Sequence, residues 1–151
     1  FVCTGNICRS PTAEGVFLRL VRDAGLADQI SVDSAGTHDY HVGEPPDARS
    51  VEAAARRGYN LSGLRARKFE REDLHRFDLV VAMDRGHYAI LSRMAHPSAA
   101  HKLRMMMSFA RRFEQTEVPD PYYGGEEGFE QVLDMLEDAA QGLIEAIRGK
   151  K

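Results

Sequence analysis

Tryptophan is missing from the 151 residues, cysteine occurs twice, and the longest apolar runs, such as Leu79–Met83, fall far short of the ~20 residues that cross a bilayer. Two cysteines cannot form the disulfide framework of a small secreted domain, and a chain of this length buries enough surface not to need one. Phe1-Val2-Cys3-Thr4-Gly5 has no basic segment leading into a longer apolar run, so no export signal is expected. The sequence opens without an initiator Met, in keeping with a trimmed start, and the cytoplasm is the expected compartment. A net charge of -3 excludes a general nucleic-acid binder. The six histidines (38, 41, 75, 87, 96 and 101) and the cysteines show no ligand spacing. No metal or other cofactor is expected, and scattered histidines of this kind are usually solvated.

Charge is unevenly spread. Residues 113–151 hold 10 acids against 3 bases, with no base from Phe113 to Ile147, whereas residues 1–112 hold 17 bases against 13 acids. The two faces of the molecule are expected to differ in sign. Sixteen of the 20 bases are Arg, most of them expected on solvated helix faces.

Hydrophobic periodicity predicts a helix from Pro11 to Ala24, with Ser10 as its cap and Gly25 as its stop. Ile30–Ser34 alternates like a short strand and runs into the small-residue turn Ala35-Gly36-Thr37, followed by a loop over His38–Pro46. Asp47 caps a second helix through Arg57, closed by Gly58, and a helical turn is expected over Glu70–His75. Leu79–Met83 reads as a parallel strand buried on both faces, Gly86–Met94 as a helix, and Leu103–Met107 as another buried strand whose methionines fill core. A last helix places Phe129, Val132, Leu133, Leu136, Ala140, Leu143 and Ile147 on one face. Strands alternating with helices predict a single α/β domain over residues 1–151, a doubly wound parallel sheet of about four strands with helices on both faces. Such sheets bind ligands beyond the carboxyl ends of their strands. Phe1-Val2 is too short for the strand that precedes the first helix, so the sequence is expected to begin inside it.

Cys3-Thr4-Gly5-Asn6-Ile7-Cys8-Arg9-Ser10 links that strand to the helix N-terminus. A short loop here can turn its backbone N–H groups inward and, with the helix dipole, cradle a tetrahedral oxyanion such as phosphate. Gly5 and Asn6 tolerate the left-handed backbone such a turn requires. Arg9 can grip two oxygens in bidentate fashion. These surroundings are expected to bring the Cys3 thiol into the ~3.5–7.5 range known for activated cysteines. A thiolate beneath a phosphate monoester is placed for in-line attack.

The segment Cys3–Pro11, C-T-G-N-I-C-R-S-P, resembles the signature of the low-molecular-weight protein tyrosine phosphatases. Asp33–Thr37, Gly43–Asp47, Phe77–Asp84 and Asp120-Pro121-Tyr122 resemble further segments of that family in the same order. The resemblance implies hydrolysis of protein phosphotyrosine and small aryl phosphates through a covalent phosphocysteine. It implies Cys3 as nucleophile, Arg9 as phosphate clamp and Asp120 as the acid that protonates the leaving phenolate. Thr4, Gly5, Asn6, Ile7, Cys8 and Ser10 then line or form the phosphate loop, with Ser10 either donating to the Cys3 sulfur or simply capping the helix. Asn6 and Ser34 brace the loop from behind, Asp84 supports the site, and Tyr40, Tyr122 and Tyr123 flank the substrate ring. Cys8 is a redox partner for Cys3. The implied partner is a tyrosine-phosphorylated protein, with a bacterial tyrosine kinase allowed. Two departures stand out. Leu64 occupies the place of a histidine that completes the bonding around the bracing Asn, so the loop is either one bond short or braced by another group, Arg65 being the neighbouring candidate. Thr4 stands where many relatives carry an apolar residue. The rival readings are an arsenate reductase of the same fold, which needs more cysteines than Cys3 and Cys8, a noncatalytic oxyanion-binding redox sensor, and a nucleotide-binding fold, for which no glycine-rich fingerprint exists.

Overall fold

The computed structural model describes residues 1–149. Four short strands, β1 (Val2–Cys3), β2 (Ala35–Gly36), β3 (Val80–Ala82) and β4 (Leu103–Met105), form an all-parallel sheet in the order β2-β1-β3-β4. Between and after them lie α1 (Arg9–Asp23), α2 (Ala48–Arg56), α3 (Asp73–Arg76), α4 (Arg85–Met94) and α5 (Glu126–Gly149). The expected α/β class and parallel sheet are present. The residues of β3 alternate between two cores: Val81 and Met83 face α1 and α5, while Val80 and Ala82 face Leu74 of α3 and Leu91 of α4. Such a strand is buried on both faces, and hence almost wholly apolar.

Helix α1 packs Ala13, Val16, Phe17 and Val21 into the first core, and α5 answers with Phe129, Val132, Leu133, Leu136, Ala140 and Leu143. The acid excess of the C-terminal segment does not form a bare face. Arg57, just past the end of α2, reaches Glu130, Asp134 and Glu137 on α5 at 2.9, 2.8 and 2.7 Å, Arg56 adds a second contact to Glu130, and Arg111 pairs with Glu145. Asp138, on the same helix, accepts from the backbone N–H groups of Arg111, Arg112 and Phe113, which orders the segment leading toward Asp120.

Several expectations shift. The strand expected at Ile30–Ser34 is not regular; pairing begins at Ala35, because the neighbouring strand offers backbone only alongside residues 35 and 36. Helix α1 begins at Arg9, with Cys8 at the cap position, so Ser10 lies inside the first turn and is not the cap. Pro11 keeps a first-turn place, where its missing N–H costs nothing. Strand β4 is an edge strand with Arg104 exposed and ends at Met105; Met106–Phe109 turns into a 3-10 helix, with Met106 and Met107 buried as expected. The helical turn before β3 is displaced to Asp73–Arg76. Asp47 does cap α2, accepting from Arg49 N–H at 2.8 Å.

The 3-10 segment crosses α5 so closely that a Cβ on Gly142 would run into the Phe109 carbonyl. In an open helix Gly→Ala stabilises by ~1 kcal/mol. Here Gly142→Ala should instead cost about 1–3 kcal/mol, the range for overpacking. Urea unfolding measures the sign directly.

Candidate active site

The loop after β1 is held by bonds that all point outward. The carbonyls of Cys3 and Thr4 accept from Thr37 and His38 N–H at 2.8 and 3.0 Å, that of Ile7 accepts from Asp47 N–H at 2.8 Å, and that of Cys8 from Thr12. Among the described residues the amides of Gly5 to Arg9 donate to no group, which is the arrangement of an anion cradle. Gly36 permits this closeness, since a Cβ there would lie 2.7 Å from the Thr4 carbonyl oxygen.

Asn6 stands at the turn with φ 59, the left-handed conformation that asparagine tolerates. Its amide is fully committed: Oδ1 accepts from Arg67 N–H at 3.0 Å, and Nδ2 donates to Ser10 Oγ at 2.8 Å and to Ser34 Oγ at 2.9 Å. Directions follow from this. Each serine oxygen already accepts, so each hydroxyl proton must go elsewhere. Ser34 donates to Glu14 Oε1 at 2.6 Å, and Ser10 Oγ lies between Cys3 Sγ at 3.0 Å and the Ala35 carbonyl at 3.4 Å. Burial raises the Glu14 carboxyl above its usual range, partly countered by that Ser34 bond. Cys8, which is buried, is pushed up to about 12 by that burial despite a bond to Ser50.

Arg9 is buried, and its guanidinium is divided between support and site. Nη1 donates to Asp84 Oδ2 and to the Val118 carbonyl, both at 2.9 Å, while Nη2 lies 3.7 Å from Asp120 Oδ2. Asp84 caps α4 by accepting from His87 N–H at 3.0 Å. Burial works against its charge, but that bond, His87 and Arg9 hold the carboxyl below the usual range. Val118 is doubly fixed, its own N–H donating to the Met83 carbonyl at 2.9 Å, so the residue two places before Asp120 is tied both to the end of β3 and to Arg9. Asp120 itself is exposed, its Oδ1 accepting from Tyr122 N–H at 3.0 Å.

Cys3, Thr4, Gly5, Ile7, Cys8, Arg9, Asp120, Tyr40, Tyr122 and Tyr123 all line one pocket of about 230 Å³. Asn6, Ser10, Ser34 and Asp84 stand behind it. A larger hollow, about 470 Å³, opens beside Phe1 at the amino ends of the strands, away from this chemistry. Tyr40 and Tyr123 are 66% and 89% exposed, so they form a rim and not a closed wall. Sequence reasoning missed two residues. His41 joins the lining, its ring against Gly5. His87, expected in solvent, is buried, with Nε2 2.8 Å from Thr4 Oγ1. Burial and the Arg9 charge push its imidazole down to about 4, against the pull of Asp84. The spacing Asp84-x-x-His87 at a helix start was the available signal. The described residues contain no cluster able to hold a metal ion.

A family model described as low molecular weight phosphotyrosine protein phosphatase matches residues 1–151. A low molecular weight protein-tyrosine-phosphatase of Streptomyces coelicolor is 48% identical over 151 residues, covering 98% of this chain and 92% of its own length. A protein tyrosine phosphatase from Entamoeba histolytica, solved with Hepes in the active site, superposes with TM-score 0.96 at 40% identity, covering 98% of this chain and 94% of that one. Wzb from Vibrio vulnificus in complex with benzylphosphonate gives TM-score 0.82 at 30% identity, over 96% and 94% of the two chains.

Leu64 leaves the brace intact. The Arg67 backbone N–H supplies the bond to Asn6 Oδ1, made possible because residues 67–69 lie beside β2: Gly36 N–H donates to the Arg67 carbonyl and Phe69 N–H to the Gly36 carbonyl. Arg65 plays no part, its guanidinium turning to the carbonyls of Ser62 and Leu64. A histidine introduced at Leu64 could therefore only share the Asn6 Oδ1 that the Arg67 N–H already holds in place. Phosphate inhibition constants of Leu64→His and wild type should agree within about twofold, below the effect of one added hydrogen bond. Markedly tighter phosphate binding by the variant would show the brace to be incomplete.

Proposed function

The chain belongs to the low molecular weight phosphotyrosine protein phosphatase family and hydrolyses phosphotyrosine, and we propose that it does so through a covalent phosphocysteine on Cys3. The observation that carries the reading is the convergence of Cys3 and Arg9, from one loop, with Asp120, from a segment far along the chain, on one small pocket. The free amides of Gly5 to Arg9, together with the Nη2 side of the Arg9 guanidinium, take the three nonbridging phosphate oxygens. Cys3 Sγ attacks phosphorus in line, and the phosphorus–oxygen bond to the tyrosine breaks as Asp120 hands its proton to the departing phenolate. Asp120 then takes a proton from water, which attacks phosphorus and releases inorganic phosphate and the Cys3 thiolate. Ser10, whose Oγ lies 3.0 Å from the sulfur, donates to it as nucleophile in the first step and as leaving group in the second.

Tyr40, Tyr122 and Tyr123 flank the aromatic ring of the substrate, and their exposure suits a phosphotyrosine presented by a folded partner, a bacterial tyrosine kinase among the candidates. As part of the same reading, the enzyme works in the cytoplasm, where reducing conditions keep its two free cysteines apart. Cys8 is the resolving thiol. Peroxide converts the Cys3 thiolate to a sulfenic acid, and the Cys8 thiol condenses with it, forming the disulfide and releasing water.

Three outcomes test the reading. Cys3→Ser should abolish turnover of p-nitrophenyl phosphate while still binding inorganic phosphate, and hydrolysis by this variant at a tenth of the wild-type rate overturns the covalent route. Asp120→Asn should lower kcat/KM by about 10²–10⁴-fold for phenyl phosphate and much less for substrates with acidic leaving groups. An equal loss across the series removes the general acid. For the redox role, mild peroxide should produce a mass loss of two hydrogens and an inactivation reversed by dithiothreitol in wild type, but largely irreversible inactivation in Cys8→Ser.

A further inference from the structure

The mechanism makes no use of His87, a buried ring that touches three parts of the site at once. Its Nε2 lies 2.8 Å from Thr4 Oγ1 and 3.5 Å from Arg9 Nη2, and its Nδ1 lies 3.1 Å from Asp84 Oδ1. The tautomer follows from the neighbours. A guanidinium can only donate, so Nε2 facing Arg9 must be the acceptor, and the ring proton sits on Nδ1 toward the Asp84 carboxylate. Nδ1 makes no well-angled bond there, so its contact with Asp84 is mainly electrostatic. With Nε2 accepting, the Thr4 hydroxyl is the donor. Arg9, Asp84, Asp120 and His38 are the charged or titratable groups around the ring. Its neutral state agrees with the assignment.

Thr4 and Arg9 are the two ends of the phosphate loop, one immediately after the nucleophile and the other at the start of α1. Asn6 braces the middle of that loop from one side, through Ser10, Ser34 and Arg67. His87 touches both ends from the other side and is itself fixed by its own N–H on Asp84. We propose that Thr4 and His87 form a coupled positioning pair that sets the separation of the loop's two ends, and with it the aim of Arg9 at the phosphate. The pair touches no reacting atom. Thr4 without His87 leaves a hydroxyl with no partner, and His87 without Thr4 holds Arg9 but no longer the nucleophile's end of the loop. Their effects are therefore not independent.

The inference rests on Arg9 as the phosphate clamp, so the test uses binding of inorganic phosphate, followed by calorimetry, beside hydrolysis of p-nitrophenyl phosphate and thermal unfolding. Thr4→Val and His87→Leu should each weaken phosphate binding by about two- to tenfold, the effect of losing one buried hydrogen bond. The double variant should bind no worse than His87→Leu. His87→Gln places an amide oxygen where Nε2 stood and should recover most of the affinity lost in His87→Leu. If His87 only fills space, His87→Leu lowers the melting temperature but the folded protein binds phosphate as wild type does, which overturns the proposal. Additive losses in the double variant overturn the coupling as well. Thr4→Val, nearly isosteric and half-buried, keeps the test decisive should His87→Leu not fold. A wild type that binds phosphate but hydrolyses nothing refutes the mechanism above and leaves the pair to be judged on binding alone.

Discussion

A loop that turns its amides toward an anion gives up half of the hydrogen bonding that holds ordinary backbone in place, so its shape must come from bonds to its carbonyls and from side chains. In this protein that burden falls first on Asn6. Its left-handed backbone makes the turn, and its amide uses its oxygen and both hydrogens on three separate segments: Arg67 beside β2, Ser34 before β2, and Ser10 in α1. A flipped amide would set N–H against N–H at Arg67, so one orientation wins by a wide margin. That choice sends the Ser34 proton to Glu14 and leaves the Ser10 hydroxyl to the Cys3 sulfur and the Ala35 carbonyl. The hydrogen bonding around Cys3 thus passes through a single side chain behind the loop.

The parts of the molecule that were legible in the sequence are those where local pattern and global role coincide. The apolar run Leu79–Met83 is buried on both faces because it is central in the sheet, and the heptad-like stripe of α5 is the face that packs on α1. Where the decision was made by a neighbour, the pattern misled. Ile30–Ser34 alternates like a strand, yet it is Ala35 and Gly36 that pair with β1, and Gly36 lets the loop carbonyl of Thr4 come near. Ser10 has the chemistry of a cap but lies beside the sulfur, the helix having started two residues earlier than expected. The substitution at Leu64 suggested a weakened brace because a side chain was being counted. The donor is backbone, and backbone donors leave no trace in the sequence. His87 was overlooked because one histidine on an amphipathic helix carries no periodic signal, and its burial is visible only once Thr4 and Arg9 are brought beside it.

Charge tells a similar story at larger scale. The acid-rich C-terminal segment looks in one dimension like a repulsive surface. In three dimensions Arg56, Arg57 and Arg111 meet it, and Asp138 is spent on three backbone amides that lead the chain toward the pocket. The arginines that appeared to be surplus are mostly placed against carboxylates, and Arg9 alone keeps an edge turned to the pocket beside Asp120.

The bonds that complete the site span long stretches of chain: Asn6 to Ser34 covers 28 residues, Asn6 to Arg67 covers 61, Arg9 to Asp84 covers 75 and Arg9 to the Val118 carbonyl covers 109. Contacts of such separation are the slow ones to form, because the entropy of closing each loop is lost before the contact repays it. Cys3 lies early in the sequence, but the groups that brace Asn6, hold Arg9 and tie down the segment before Asp120 follow one after another up to residue 118. A chain emerging from the ribosome therefore carries Cys3 long before it can close the pocket around it. The finished pocket is a late consequence of folding, and it is lost when any one of these four long-range contacts comes loose.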